Sequence, residues 1–405
     1  MDALGRKSLW GMASTAFGKV AGRGVQFLLG LALARLLTPE DFGFVGMLGI
    51  FIGISNVFID CGFAAALIRK QQRRERDYAT VFWFSLAVSL AAYAALFVAA
   101  PFIGRFFHRP ELEPIARVVL TGLVFGALSA VPQARLRIEL KFGTLSALSV
   151  TAITVSGLAG LWFAVCGFGA WSLVWQGVIW RVVHLALVEA AARYWPRGGF
   201  SRESFREFFA FGWKHLAANL IDQAWSNVHA LVLGRTYAAA TVGLYARADA
   251  WARLPAQVTS DALCTVNYPL LSKLQRDNAA LRAAFGRLTL LALGVMTPAM
   301  ALLMAFARPL VGFVLGPQWV SCAPYVAILA CGYLVEPLVY LWMTAFYVKG
   351  RTDWVLSLEF VLKPIAFGLL FAALPFGLKW VCLARSAFVF VAAAVAMAAA
   401  WRLLR

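Results

Sequence analysis

The sequence predicts an all-α membrane protein of about twelve transmembrane helices, arranged as two six-helix bundles related by an internal repeat. Three observations lead there. Of 405 residues, 62% are hydrophobic and only 14% are charged, too apolar a chain for a soluble domain with an ordinary core. Apolar stretches of about 20 residues recur between short charged connections. Short matches between the two halves occur in the same order at a nearly constant offset.

The apolar stretches run approximately over 13–36, 43–67, 79–103, 115–133, 144–166, 171–192, 212–234, 242–269, 286–307, 322–347, 354–374 and 380–401. The first is too long and too polar for a cleavable signal, so the chain is expected to start with its own first span. Connections are short throughout, which leaves no room for a separate soluble domain. The N-terminus, the loops after even-numbered spans and the C-terminal tail hold 22 lysines and arginines, among them Arg69, Lys70, Arg73, Arg74 and Arg76; the loops after odd-numbered spans hold six. Because basic residues accumulate on the cytoplasmic side, both termini are expected there. The net charge of +18 then reflects orientation and attraction to anionic headgroups, not nucleic-acid binding. Cys61, Cys166, Cys264, Cys322, Cys331 and Cys382 lie in or beside spans without CxxC spacing, and are read as small packing residues with no metal site or disulfide framework.

In the repeat, "ARLLTPEDFG" at 34–43 aligns with "GRTYAAATVG" at 234–243, pairing Arg35 with Arg235 and Gly43 with Gly243; Asp77 pairs with Asp277 at the same offset. Further on, "PFIGRFF" from Pro101 resembles "PLVGFVL" from Pro309, and "GFGAW" from Gly167 resembles "PFGLKW" from Pro375. Domains of 1–200 and 201–405 follow. Six spans per unit is an even number, so both units enter the membrane in the same sense, as in transporters that alternate access around a site near the midplane.

The first two spans of each unit carry the polar residues. Thr15, Lys19, Arg23, Gln26 and Gly30 lie on one face of span one, and His215, Asn219, Asp222, Ser226 and His229 on one face of span seven. Span two adds Ser55, Asn56 and Asp60; span eight adds Arg247, Asp249, Arg253, Gln257 and Asp261 around Pro255. A cation inside a membrane span costs about 2.5–3.5 kcal/mol even on lenient scales. Lys19, Arg23, Gln26, Arg247 and Arg253 are therefore the candidate substrate-binding residues. Asp60, Asp222 and Asp261 are the candidates for ion coupling through a membrane acid. Asp249 and Arg253, four residues apart, are equally compatible with an intrahelical ion pair, as are Glu359 with Lys363 and Glu113 with Arg117; Arg385 has no partner evident in the sequence.

"LARLLTPEDFGFVGM" at 33–47, "ALIRKQQRRERDYATVFW" at 66–83 and "VGLYARADAWARLP" at 242–255 resemble the polysaccharide flippases of the multidrug/oligosaccharidyl-lipid/polysaccharide exporter superfamily. The resemblance covers nearly the whole chain. It implies a V-shaped pair of six-helix bundles in the bacterial inner membrane that turns a polyprenyl-pyrophosphate-linked oligosaccharide from the cytoplasmic to the periplasmic leaflet, for O-antigen, capsule or exopolysaccharide assembly. No cofactor is implied, and the implied partners are membrane lipids, a polysaccharide polymerase and assembly proteins. In the similar lipid II flippases, cations on helices one, two and eight meet the pyrophosphate. Lys19 and Arg23 match the first, Arg247 or Arg253 the last, and the second-helix cation is absent, with Asp60 the charge there. A multidrug exporter of the same superfamily is the nearest alternative, although it would favour an acidic cavity. A membrane-embedded glycosyltransferase or ligase would display a sizeable loop with acid/base groups, and the loops here are short.

Overall fold

A computed structural model describes residues 3–60, 63–70, 72–196, 198–275 and 277–404, including most of their side chains. Helices and short 3-10 turns make up the secondary structure, with no strand among the described residues. Among the described residues, helical segments fall within each of the predicted stretches. Eight of these segments are long and apolar enough to cross a bilayer: Glu75–Phe107, Leu112–Ile138, Phe142–Val165, Ala170–Ala192, Asn278–Ala305, Pro317–Val348, Asp353–Phe376 and Leu378–Leu403. In six of them at most 33% of the most apolar stretch is buried within the protein, as expected for helices that face lipid, whereas Leu112–Ile138 and Pro317–Val348 are 50% and 56% buried.

The contacts divide the chain into two compact units, Met1–Val242 and Gly243–Arg405. The first unit holds α1 (Ala3–Leu36), α2 (Pro39–Met47), α3 (Gly49–Asp60), α4 (Phe63–Arg69), α5 (Glu75–Phe107), α6 (Leu112–Val119), α7 (Gly122–Ile138), α8 (Phe142–Val165), α9 (Ala170–Ala192) and α10 (Arg202–Thr236). Next, α11 (Ala239–Lys273) begins at the end of the first unit and continues into the second. The second unit adds α12 (Asn278–Ala305), α13 (Ala307–Val314), a 3-10 turn at Pro317–Cys322, α14 (Ala323–Tyr333), α15 (Glu336–Val348), α16 (Thr352–Ala373) and α17 (Leu378–Leu403).

Local sequence explains several of these boundaries. Thr38 caps α2 in a reciprocal box: its hydroxyl accepts from the Asp41 N–H, and the Asp41 carboxylate accepts from the Thr38 N–H at 2.9 Å, with Pro39 at the first helical position. Asp277 caps α12 by accepting from the Ala280 N–H at 2.9 Å, and Asp77 accepts from the Arg74 N–H at the start of α5. Arg73 closes the other end of α4, donating to the carbonyls of Leu67 and Ile68 at 2.8 and 2.6 Å. The basic loop after span two thus finishes helices as well as orienting them.

In the first unit α10 packs against α3, α4 and α5. Its start is fixed by polar contacts: the Ser204 hydroxyl donates to Asp77 at 2.6 Å, Lys70 reaches Glu207 at 2.7 Å and Asp77 at 3.3 Å, and Arg76 reaches Glu203 at 3.2 Å. Burial opposes the Lys70 charge, but hydrogen bonds to Glu207 and Asp77 outweigh it and raise its pKa above the usual 10.5. Phe63, Phe84, Phe205 and Phe208 pack beneath these contacts with Leu67, Val81 and Tyr194. Higher up, α2 meets the start of α11 so closely that a Cβ on Gly43 would lie 1.8 Å from the Ala239 carbonyl oxygen. A backbone atom cannot yield as a side chain can. Gly43→Ala is expected to destabilise the protein by about 2 kcal/mol or more through overpacking, read as a lower thermal midpoint in detergent; an unchanged midpoint would refute this crossing.

Candidate functional site

The first candidate region lies on α1 and α8. Gly18 and Gly22, one turn apart on α1, face α8, and a Cβ on Gly18 would come within 2.4 Å of the Ser146 Cβ. From the other side, a Cβ on Gly157 would meet Leu29 at 2.1 Å. Small residues at this spacing let membrane helices approach closely, where dispersion replaces the hydrophobic drive absent in lipid. Beside this contact a groove of about 370 Å³ opens, lined by Arg23, Gln26, Arg137, Ser146 and Ser149 among others. Arg23 and Gln26 are exposed. Among the described residues none that lines the groove is acidic, and Arg23, Arg137, Gln26 and Ser146 border one space, the Ser149 hydroxyl donating to the Leu145 carbonyl at 2.9 Å. Such a donor-rich, cationic lining suits an anion with several oxygens, which Arg can hold bidentately.

The second region is a charge cluster within the Gly243–Arg405 unit. Arg385 on α17 pairs with Asp249 on α11 at 2.8 Å, with only 15% and 20% of the two side chains exposed. The hydroxyl of Tyr333, at the end of α14, donates to Asp249 and accepts from Arg385, which also donates to the hydroxyl of Tyr245. Arg253, one turn after Asp249, lies 5.6 Å over the Tyr333 ring. Such a cation–π contact is worth about 0.5–2 kcal/mol depending on desolvation. Charge and aromatic surface from three helices therefore surround one carboxylate. Gly332 allows this approach: a Cβ there would sit 2.7 Å from the Ser386 Cα, beside Arg385.

Arg23 and Gln26 are thus together in the first unit, while Arg253 stands at the edge of the cluster in the second. Arg247 lies 5.8 Å over the ring of Trp319, which is fully buried. Gln257 is exposed and Ser55 is buried, its hydroxyl donating back to the Phe51 carbonyl at 2.6 Å. The side chains of Lys19, Asp60, Asp222 and Asp261 lie outside the described residues, as do those of Cys61 and Cys264. The two surface pairs form as spaced: Glu113 with Arg117 and Glu359 with Lys363, each at 2.7 Å. Arg137, Tyr245 and Tyr333 were not singled out from the sequence. The clue available was Arg385 itself, since an arginine inside a span calls for an acid on another helix.

On span seven, Gln223 and Asn227 lie against α3. The Asn227 amide donates to the Gln223 carbonyl at 2.9 Å, and Gly53 of α3 approaches both side chains, its Cβ position 2.7 Å from Gln223 Oε1. His184 on α9 is buried, stacked on Trp180 at 5.1 Å and within 3.4 Å of the Ser149 hydroxyl. Ser149 thereby links the wall of the basic groove to α9.

Together these elements define a polytopic, all-helical membrane protein with cations held inside its helical units. The chain belongs to the family described as polysaccharide biosynthesis protein, whose model matches residues 32–324. It is 22% identical to the teichuronic acid biosynthesis protein TuaB of Bacillus subtilis over 81% of this chain and 68% of that protein. It is 25% identical to the succinoglycan biosynthesis transport protein ExoT of Rhizobium meliloti over 78% of this chain and 64% of that protein. Identity to the lipopolysaccharide biosynthesis protein WzxC of Escherichia coli is 25%, over 87% and 72%. The aligned region spans about two thirds of these relatives' lengths. The fold is similar to that of the lipid II flippase MurJ in an inward closed conformation, with a TM-score of 0.76 and 13% identity over 96% of this chain and 87% of that one. It is also similar to an inward-facing multidrug resistance MATE family transporter of the MOP superfamily, with a TM-score of 0.74 and 17% identity over 94% of both chains.

Proposed function

We propose that the protein is a flippase that moves polyprenyl-pyrophosphate-linked oligosaccharide repeat units from the cytoplasmic to the periplasmic leaflet of a bacterial inner membrane by alternating access. The product would feed O-antigen, capsule or exopolysaccharide assembly. The observation that carries this reading is the groove on α1, lined by Arg23, Arg137, Gln26 and two serines, with no acid among the described residues that line it. A pyrophosphate cannot cross hydrocarbon unshielded, and such a surface replaces part of its hydration. The family and the roles of WzxC, ExoT and TuaB in polysaccharide biosynthesis and transport support the glycan half of the reading.

In this reading the chain has twelve spans in two six-helix domains, 1–200 and 201–405, with both termini cytoplasmic, and no catalytic step. Lys19 and Arg23 act as counter-charges in the first domain, with Gln26 adding a donor. Arg253 and Arg247 serve in the second. Asp60, Asp222 and Asp261 are the groups through which an ion gradient would reset the empty transporter. Attraction between opposite charges at ~4 Å is about 4 kcal/mol at an effective dielectric near 20, enough for protonation of one acid to release a cation. A repeat-unit polymerase and assembly proteins would receive the product.

Reconstituted vesicles carrying a polyprenyl-pyrophosphate-linked oligosaccharide provide the test, with an impermeant glycosidase reporting which leaflet holds the glycan. Protein-dependent exposure of the glycan is expected, and exposure no faster than in protein-free vesicles would overturn the reading. Imposed proton or sodium gradients should change the rate. A rate insensitive to both, with an Asp60→Asn, Asp222→Asn double variant still active, would eliminate the coupling. Orientation has a separate check: an impermeant thiol reagent applied to intact cells should label a Cys at Glu111 and not one at Arg73, and the reverse pattern would invert the topology.

A further inference from the structure

We propose that a groove formed by α12, α15 and α17 holds one anionic phospholipid, its phosphate on Arg402 and an acyl chain along Leu290, Met397 and Ala398. The groove has a volume of about 700 Å³ and is lined by Gly286, Thr289, Leu290, Trp342, Met397, Ala398, Trp401 and Arg402, within the range of sites that hold small ligands. Its lining changes character along its length. Met397 and Ala398 lie one helical turn from Trp401 and Arg402 on α17, and Gly286 lies one turn from Leu290 on α12. That order of basic head, amphipathic middle and apolar end is the order of a lipid.

Two polar atoms of this lining are buried and have no hydrogen-bond partner: the indole N–H of Trp342 and the hydroxyl of Thr289. Trp342 is 2% exposed, stacked on Phe285 at 5.1 Å and packed near Trp401 at 6.1 Å. Its ring has no freedom to carry the N–H to water. Inside a membrane an unpaired donor is costly because no solvent replaces the missing acceptor. A glycerolipid carries ester carbonyls next to its phosphate, acceptors of the kind these two donors lack. Charge selects the headgroup. Among the described residues the lining has one arginine and no acid, and Arg282 of α12 donates to the Leu404 carbonyl at 2.8 Å, fixing the end of α17 that carries Arg402. Basic pockets between transmembrane helices recognise anionic headgroups in this way.

The site is independent of the transport reading, requiring only that the protein lie in a membrane. Native mass spectrometry of the full chain, equilibrated with equal amounts of phosphatidylglycerol and phosphatidylethanolamine, tests it. One retained lipid is expected, with phosphatidylglycerol favoured roughly fivefold by a single arginine contact. Arg402→Gln should abolish the preference while retaining some lipid of both kinds, and Trp342→Phe should lower retention of both without changing the preference. A Cβ at Gly286 would meet nothing within 4 Å, so Gly286→Phe should fill the groove and exclude both lipids from a protein that still elutes as a single species. Undiminished retention by Gly286→Phe, or an unchanged preference in Arg402→Gln, would overturn the site. Selective retention of an added polyprenyl phosphate over phosphatidylglycerol would overturn the occupant.

Discussion

Replacing Arg385 by Gln is expected to lower stability by about 3–5 kcal/mol, because it removes the guanidinium that pairs with the charged, largely buried Asp249. Asp249→Asn should cost a similar amount from the other side, stranding the guanidinium against the phenol oxygens of Tyr245 and Tyr333. Removing the pair together should behave differently. Replacing a buried ion pair with apolar residues of similar volume is often neutral or stabilising, so Asp249→Leu with Arg385→Met should regain most of the loss. Thermal midpoints and the yield of monodisperse protein in detergent distinguish these outcomes. Single variants that melt with the unaltered protein would show that the pair is solvated and structurally idle.

Arg23→Gln is expected to abolish most polysaccharide export at equal protein level, whereas Arg23→Lys should retain part of it. The neutral amide removes a charge-assisted contact worth about 1.5–3 kcal/mol, roughly a 10- to 150-fold loss in affinity. Lysine keeps the charge but not the bidentate fork. Surface polysaccharide in a strain dependent on the altered gene is the readout. Since Arg23 is exposed at the groove and the close helix contact beside it is made by Gly18, a role confined to packing predicts full export from the Gln variant, and that result would remove Arg23 from the mechanism.

Much of the helical framework was legible because its causes are local. The run Thr38-Pro39-Glu40-Asp41 carries its own capping box, and Asp277 its own cap. The pairs Glu113 with Arg117 and Glu359 with Lys363 follow from helical periodicity alone. Periodicity also placed Arg23 and Gln26 on one face, and both line the same groove. It could not show that Arg137, 114 positions beyond Arg23 in the chain, shares that groove, because a helical face says nothing of what stands opposite.

Asp249 shows the same limit in the acidic partner. Local spacing offered it Arg253, whereas the fold brings Arg385 from α17 and Tyr333 from α14 to its carboxylate. By itself the sequence determined that this is a helical membrane protein, where its apolar segments lie, which faces carry charge and which family it resembles, since all of these depend on composition and short-range order. Only the tertiary structure decided which charges neutralise one another and which remain displayed. That outcome depends on helix packing between residues far apart in the chain, where close approach at Gly332 and Gly18 and the need to satisfy buried polar groups in a medium without water select the partners.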